Sequence, residues 1–205
     1  MAGLYVQRKR KFKLTTDCKH RYPIADNLLN REFTTTRPNS AWVSDITYVK
    51  TGQGWLYLTV ILDLFSRKVV GWSLAKGLST RATVLKAWRM AVKNRKITKP
   101  LIFHSDRGLQ YAATIFKNVL KANPLVNQSM SRKANCWDNA VAESFFKSLK
   151  YECVYSHNFK TRQDAELTIF QYIECWYNRH RLHSTLNYLT PTKFETQFYN
   201  KKKIA

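Results

Sequence analysis

Along this chain apolar residues recur first at a period of two and later near 3.6, in an order that predicts a mixed sheet. Ala41 to Lys50, AWVSDITYVK, joins β-branched and aromatic residues without a helix breaker and reads as a strand. Thr51-Gly-Gln-Gly54 supplies a turn, and Trp55 to Leu62 forms a nearly continuous apolar second strand. Asp63-Leu-Phe-Ser-Arg67 reverses tightly into a third, Lys68 to Ala75, so the three make an antiparallel meander. From Ser79 or Thr80, either able to cap, the period lengthens: Ala82, Leu85, Trp88, Ala91 and Val92 mark one helical face to about Asn94. After Pro100 a short strand, Leu101 to His104, runs into Ser105-Asp106-Arg107-Gly108. Ile115, Phe116, Val119 and Leu120 predict a second helix, and Leu125 to Gln128 a fifth strand. Two further helical patterns follow, one ending at Lys150 and one over about Arg162 to Asn178. The fold class expected is α/β: a five-stranded mixed sheet, its three antiparallel strands first, flanked by helices.

The helix ending at Lys150 carries two different faces. Asn139, Glu143, Lys147 and Lys150 share one, while Val141, Phe145, Phe146 and Leu149 form an apolar stripe on another. A surface helix with a Glu–Lys pair would show the same spacing. So would a carboxylate set among cations that handle metal and phosphate, and the helix alone leaves both open.

Composition sharpens the choice. Thirty-five Lys and Arg stand against thirteen Asp and Glu, a formal net charge of +22. A folding chain this basic repels itself, and a polyanionic partner, nucleic acid before a membrane surface, explains the balance. No apolar run has the length of a bilayer span, since Asp63 and Ser66 break the best candidate, and the start lacks a signal-peptide pattern. Cys18, Cys136, Cys153 and Cys175 form no C-x-x-C pair and suit a reducing, cytoplasmic compartment. Residues 1–37, with Arg8, Lys9, Arg10 and Lys11, read as a basic arm suited to phosphate contact. Residues 38–160 read as the core, 161–195 as a helical segment packed on it, and 196–205 as a basic tail.

Because acids are scarce, each one in an apolar setting needs a reason. Asp45 lies within the first strand, Asp106 follows LIFH and precedes Gly108, and Glu143 sits on the two-faced helix. In open α/β sheets reactive groups gather at the carboxyl ends of strands, where Asp106 falls. Converging carboxylates cost several kcal/mol unless cations neutralise them. Two Mg²⁺ (or Mn²⁺) ions bridged by a shared carboxylate would do so and would suit in-line displacement at phosphorus.

WVSDITYV, LDLFSRKVVGW, HSDRGLQY, SMSRKANCWDNAVAESFFKSLK and WYNRHRLHSTLNYLTPTKFE, in that order, resemble the second-frame transposases of insertion-sequence family three. Those belong to the DDE transposases and retroviral-type integrases. The resemblance runs from about Lys9 to Glu195 and implies a ribonuclease-H-like fold. It further implies that Asp45, Asp106 and Glu143 are the catalytic, metal-binding triad, and that Lys147 and Lys150 grip the element's end. Implied with it are double-stranded DNA as partner (transposon ends and target), a homo-oligomer on that DNA, no membrane, and a bacterial cytoplasmic setting. Arg132 and Lys133 are expected to join the DNA contacts, with His104 and Asn139 supporting the triad from behind. The expected activity is metal-dependent nicking followed by strand transfer. The rivals are a DNA-binding remnant without transposition and a nuclease on the same fold. Two departures bear on the aim of Glu143: thirty-six residues separate it from Asp106, one more than the family pattern, and Ala134 stands at a usual Gly. Family members carry helix-turn-helix sequence ahead of the core, and the chain is expected to begin downstream of it.

Other residues have plainer readings. Asp63 is expected to cap its turn, because Asp favours such positions. His104 could equally be a satisfied structural histidine. Cys175, His180 and His183 lack zinc-site spacing. Trp42, Trp55, Trp72 and Trp88 read as core, and Trp176, Tyr177 and Leu182 as the seat of the C-terminal segment. Arg179, Arg181 and His183 are then expected to face DNA.

Overall fold

The computed structural model describes residue 20, residues 22–133 and residues 135–204; Arg8, Lys9, Arg10 and Lys11 lie outside them. Five strands, β1 (Ala41–Thr51), β2 (Gly54–Asp63), β3 (Val69–Ala75), β4 (Leu101–Ser105) and β5 (Val126–Met130), form one sheet in the order β3-β2-β1-β4-β5. β1, β2 and β3 pair antiparallel, whereas β4 is parallel to both β1 and β5. This is the mixed sheet the pattern predicts. Its helices are α1 (Val84–Asn94), α2 (Leu109–Ala112), α3 (Thr114–Lys121), α4 (Ala140–Leu149), α5 (Arg162–Phe170) and α6 (Pro191–Ile204).

Alternation along β1 sends successive side chains to opposite faces. Trp42 packs with Trp88 of α1, Phe103 and Phe116 of α3 on one side. Val43 and Val49 join Phe145 and Leu149 of α4 and Ile169 of α5 on the other. α1 crosses β3 closely at Gly71. A Cβ added there would lie 2.4 Å from the Ala87 carbonyl oxygen and 2.7 Å from the Ala91 nitrogen. Both are helix backbone and cannot swing aside, so Gly71→Ala should cost about 1–3 kcal/mol by overpacking. A lowered denaturant midpoint with unchanged slope would report it.

Several boundaries differ from those the sequence predicts. α1 begins at Val84, because Ser79 closes a separate turn by accepting the Ala82 N–H and, through its carbonyl, the Thr83 hydroxyl. α4 and α5 each widen into a π-helical turn, Lys150–Val154 and Gln171–Tyr177. The expected basic tail is instead the last part of α6, whose Phe194 and Phe198 rings lie 5.0 and 4.9 Å from Phe65. Nor is the described part of the expected arm free: Leu29 is buried in the core and the Leu28 N–H donates to Ser129 Oγ at 2.9 Å. Trp55, 49% exposed, is not core, and Trp176 and Leu182 are likewise exposed; Tyr177, fully buried, seats the C-terminal segment instead. Asp63 does cap its turn, accepting the Asn39 and Phe65 N–H groups at 2.8 and 3.0 Å. Among the described residues no helix is long and apolar enough to cross a membrane.

Candidate active site

The parallel pairing of β1 and β4 runs from Ala41↔Ile102 to Ser44↔Ser105 and stops there. The next residue on each strand is an acid, Asp45 on β1 and Asp106 just past β4. The two carboxylates therefore start from neighbouring backbone positions, on strands about 4.8 Å apart. Asp45 lies on the same face of β1 as Val43, the face that α4 covers. α4 brings Glu143 to this edge, and its N-terminal approach is tied down by Asn139, whose Nδ2 donates to the Ser44 carbonyl at 3.2 Å. Sequence pattern thus becomes geometry: a strand, a strand end and a helix deliver one carboxylate each.

Their charges act on one another across this edge. Burial pushes Asp45 well above the ordinary carboxylate range; Asp106 and then Glu143 add to the rise, against the Ile46 N–H and Lys150. Glu143 is raised by burial and by Asp106. Lys150 is lowered by burial, with Asp45 opposing. The same negative charge reaches Tyr111, whose hydroxyl is buried 2.8 Å from Ser44 Oγ and whose proton is held by burial, Asp45 and Asp106. Local hydrogen bonds fix two of the acids. Asp45 Oδ1 accepts the Ile46 N–H at 2.7 Å, and Asp106 Oδ1 accepts the Gly108 N–H at 2.9 Å. Gly108 permits that approach, since a Cβ there would stand 3.0 Å from the same oxygen.

Of the supporting residues expected from sequence, Asn139 is in place and buried beside β1, its Oδ1 without a partner among the described residues. Of the two readings of His104, a support of the triad or a satisfied structural histidine, the contacts favour the second. Its ring nitrogens meet Ser129 Oγ at 2.8 Å and Ser131 Oγ at 3.2 Å, so it braces β4 against β5 and does not orient the Asp106 carboxylate. Burial lowers it to about 4, so the ring is neutral.

The cations divide. Lys150 is half-buried beside Asp45 at the acidic edge, and Lys147 is exposed on α4 four residues after Glu143. Lys133 is exposed. Arg132 is committed to Asp138, with Nε and Nη2 donating to its two oxygens at 3.0 and 2.9 Å, and so is not the free phosphate contact expected. Arg181 is likewise engaged, by Glu152 at 2.7–3.0 Å and by Ser148. His183, set against the Tyr177 ring and lowered by burial to about 4, carries no charge to offer DNA. Arg179 remains exposed.

Sequence reasoning passed over Asp138. It is fully buried and accepts from Asn27, Arg31 and Arg132; Arg132 first and then Arg31 hold it well below the ordinary carboxylate range despite its burial. The scarcity of acids that singled out Asp45 would have found it, since it sits in the apolar run CWDNAVA.

Comparison with known proteins places this arrangement. By fold the chain is a ribonuclease-H-like core of the kind retroviral integrases contain. It superposes on a chain of the simian T-cell lymphotropic virus intasome bound to a PP2A regulatory subunit with a TM-score of 0.61 at 16% identity, covering 88% of this chain and 60% of that one. The HTLV-2 integrase catalytic core in complex with magnesium gives 0.55 at 19% identity, over 77% and 97%. Two integrase core domain families match in sequence, over residues 35–136 and 143–199. The transposase InsF for insertion sequence IS3A of Escherichia coli K12 is 43% identical over 195 residues, 95% of this chain and 67% of that protein. The chain therefore belongs to the integrase-core transposases of the insertion-sequence three family, polynucleotidyl transferases that act in DNA transposition.

Proposed function

We propose that Asp45, Asp106 and Glu143 are the catalytic triad and that they hold two Mg²⁺ or Mn²⁺ ions for nicking and joining DNA. The observation that carries this is the Asp106 position beside β1, from which its charge raises the proton affinity of both Asp45 and Glu143. Asp106 lifting both other acids, with Glu143 adding to the rise of Asp45 and Lys150 opposing it, is a charge arrangement that a divalent ion would relieve. The donor set is all oxygen, including the buried Asn139 Oδ1 without a partner among the described residues, and hard cations prefer that. Among the described residues no three His, Cys, Asp or Glu side chains are close enough to cage one ion. Magnesium needs no such cage; it is commonly bound by one or two carboxylates together with substrate phosphate.

When bound, the two ions would supply an activated attacking oxygen and stabilise the leaving one. The chain's own residues do the rest. Ile46 and Gly108 fix the carboxylate oxygens through their N–H groups. Lys147 and Lys150 present positive charge to the DNA backbone along the helix that carries Glu143. No side-chain hydroxyl need be a nucleophile, since water and then the freed 3′-hydroxyl serve. Double-stranded DNA of the element's ends and of the target is the substrate, and two ends call for more than one protomer.

The test uses a labelled end duplex and a plasmid with Mg²⁺ and Mn²⁺ in turn, comparing the chain with Glu143→Gln. Nicked and joined products are expected from the first and about 10³-fold less from the second, with DNA binding retained. Binding without any product under either metal would sink the reading, and nicking without joining would reduce it to a nuclease.

A further inference from the structure

We infer that residues 26–31, ahead of the core in sequence, are a brace that sets the relative positions of Asp106 and Glu143, with Asp138 and Ser129 as its two anchor points. This rests on the triad reading above. The brace touches the turn that leads into α4 and the strand β5 that lies beside β4. On the Glu143 side, Asn27 Nδ2 donates to Asp138 Oδ2 at 3.0 Å and Arg31 Nε to Oδ1 at 2.8 Å. Asp138 stands in the 3₁₀ turn Cys136–Asn139, which runs directly into α4 and so fixes where Glu143 begins its helix. Arg132 holds the same carboxylate from the loop after β5.

On the Asp106 side, the Leu28 and Leu29 N–H groups donate to Ser129 Oγ at 2.9 and 3.3 Å. Those two bonds occupy its acceptor sites, so its hydrogen points to His104 Nδ1, 2.8 Å away. Nε2 then carries the ring proton and donates to Ser131 Oγ, which in turn donates to the Ser105 carbonyl at 3.3 Å. The chain of bonds ends one residue before Asp106. The Met130 N–H also donates to the Asp26 carbonyl at 3.2 Å, stitching the brace to β5.

Backbone strain marks the segment as more than a passing loop. Asn30 and Arg31 both adopt left-handed conformations, φ of 43° and 65°; Asn tolerates this region, but Arg31 is of a type that avoids it. Asn27 Oδ1 holds that turn by accepting the Asn30 N–H at 2.9 Å, while its Nδ2 reaches Asp138. One side chain both shapes the turn and uses it. Strain retained at such a point is what a positioning role requires.

Asn27, Arg31 and Asp138 are therefore positioning residues, and loosening the brace should misaim Glu143 without unfolding the core. Arg31, 44% exposed in its side chain, is the mildest place to test this. Arg31→Ala should raise the Mn²⁺ concentration for half-saturation, read by electron paramagnetic resonance without DNA, by about 10-fold or more. Amide exchange across Cys136–Glu143 should quicken in the metal-free protein, while affinity for the end duplex stays as in the parent. Arg31→Lys, which keeps the charge, should recover part of both. Glu143→Gln is the control for the underlying reading. If it weakens Mn²⁺ binding and Arg31→Ala does not, the brace is wrong and the triad stands. If neither weakens it, the triad reading fails and the brace with it. A lower Tm in Arg31→Ala with unchanged Mn²⁺ affinity and unchanged exchange over that stretch makes the contact merely structural and overturns the proposal.

Discussion

Asp45→Asn should abolish strand cleavage and joining, by about 10³-fold or more, and at the same time make the metal-free protein more stable. The two effects have one cause. Asp45 is a carboxylate whose charge is disfavoured by burial, by Asp106 and by Glu143, so its proton is held more tightly folded than unfolded. A group raised in this way adds stability at low pH, where it is protonated in both states. That contribution is lost as pH rises through its folded value. Glu143 adds to the same slope. The parent's metal-free stability should thus decline as pH climbs out of the ordinary carboxylate range. An asparagine keeps the oxygen that accepts the Ile46 N–H at 2.7 Å and removes the charge. A gain of about 0.5–2 kcal/mol at neutral pH is expected, vanishing in acid. Mn²⁺ should raise the parent's Tm at neutral pH and leave the variant's nearly unmoved. Urea melts at three pH values, with and without the ion, decide it. A variant less stable than its parent at neutral pH would mean that Asp106 and Glu143 do not strain the Asp45 carboxylate.

The sheet was legible because its pattern is local. β1, β2 and β3 are joined by short turns, and their alternating or continuous apolar runs leave little room for another register. Asp45 and Asp106 were legible for a related reason: a charge inside or just beyond an apolar strand is costly, and cost is visible in sequence. Contacts between distant segments were hidden. Nothing in the spacing of Asn27, Arg31 and Arg132 reveals that all three converge on Asp138, over a hundred positions from the first two. The partners of Arg132 and His183, Asp138 and the Tyr177 ring, are only six positions away, and Arg181 meets Glu152 twenty-nine positions back, yet no helical or strand spacing announces any of these pairings. Net charge counts cations; it does not say which are already occupied. Trp55 failed for a simpler reason. It lies near the start of β2, where its ring meets Tyr48 edge-on and stays half in water.

α6 is the largest element the pattern missed, and Glu195→Ala should show what it contributes. Glu195, 5% exposed, accepts from Ser66 Oγ at 2.7 Å and from Arg95 Nη2 at 2.6 and 2.8 Å, with Lys68 Nζ at 3.5 Å. Ser66 and Lys68 belong to the turn between β2 and β3, and Arg95 ends α1. One carboxylate thus pins the last helix to the edge of the sheet. Truncation leaves Arg95, 12% exposed in its side chain, as a buried charge without its partner, at a cost of about 3–5 kcal/mol. Glu195→Gln, which can still accept from Ser66, should cost less. A second readout separates loss of the pair from simple loss of packing. Asp63 is pushed up to about 6, by burial first, against the Asn39 and Phe65 N–H bonds, with Glu195 contributing to the rise and Arg95 opposing it. Its folded value lies above the ordinary one, so it withdraws stability as pH rises from about 4 to 6. Without Glu195, the orphaned Arg95 favours the Asp63 charge, and that decline should flatten in the variant. If Glu195→Ala lowers stability equally at pH 4 and pH 7, the helix is held by Phe194 and Phe198 against Phe65 and not by its carboxylate.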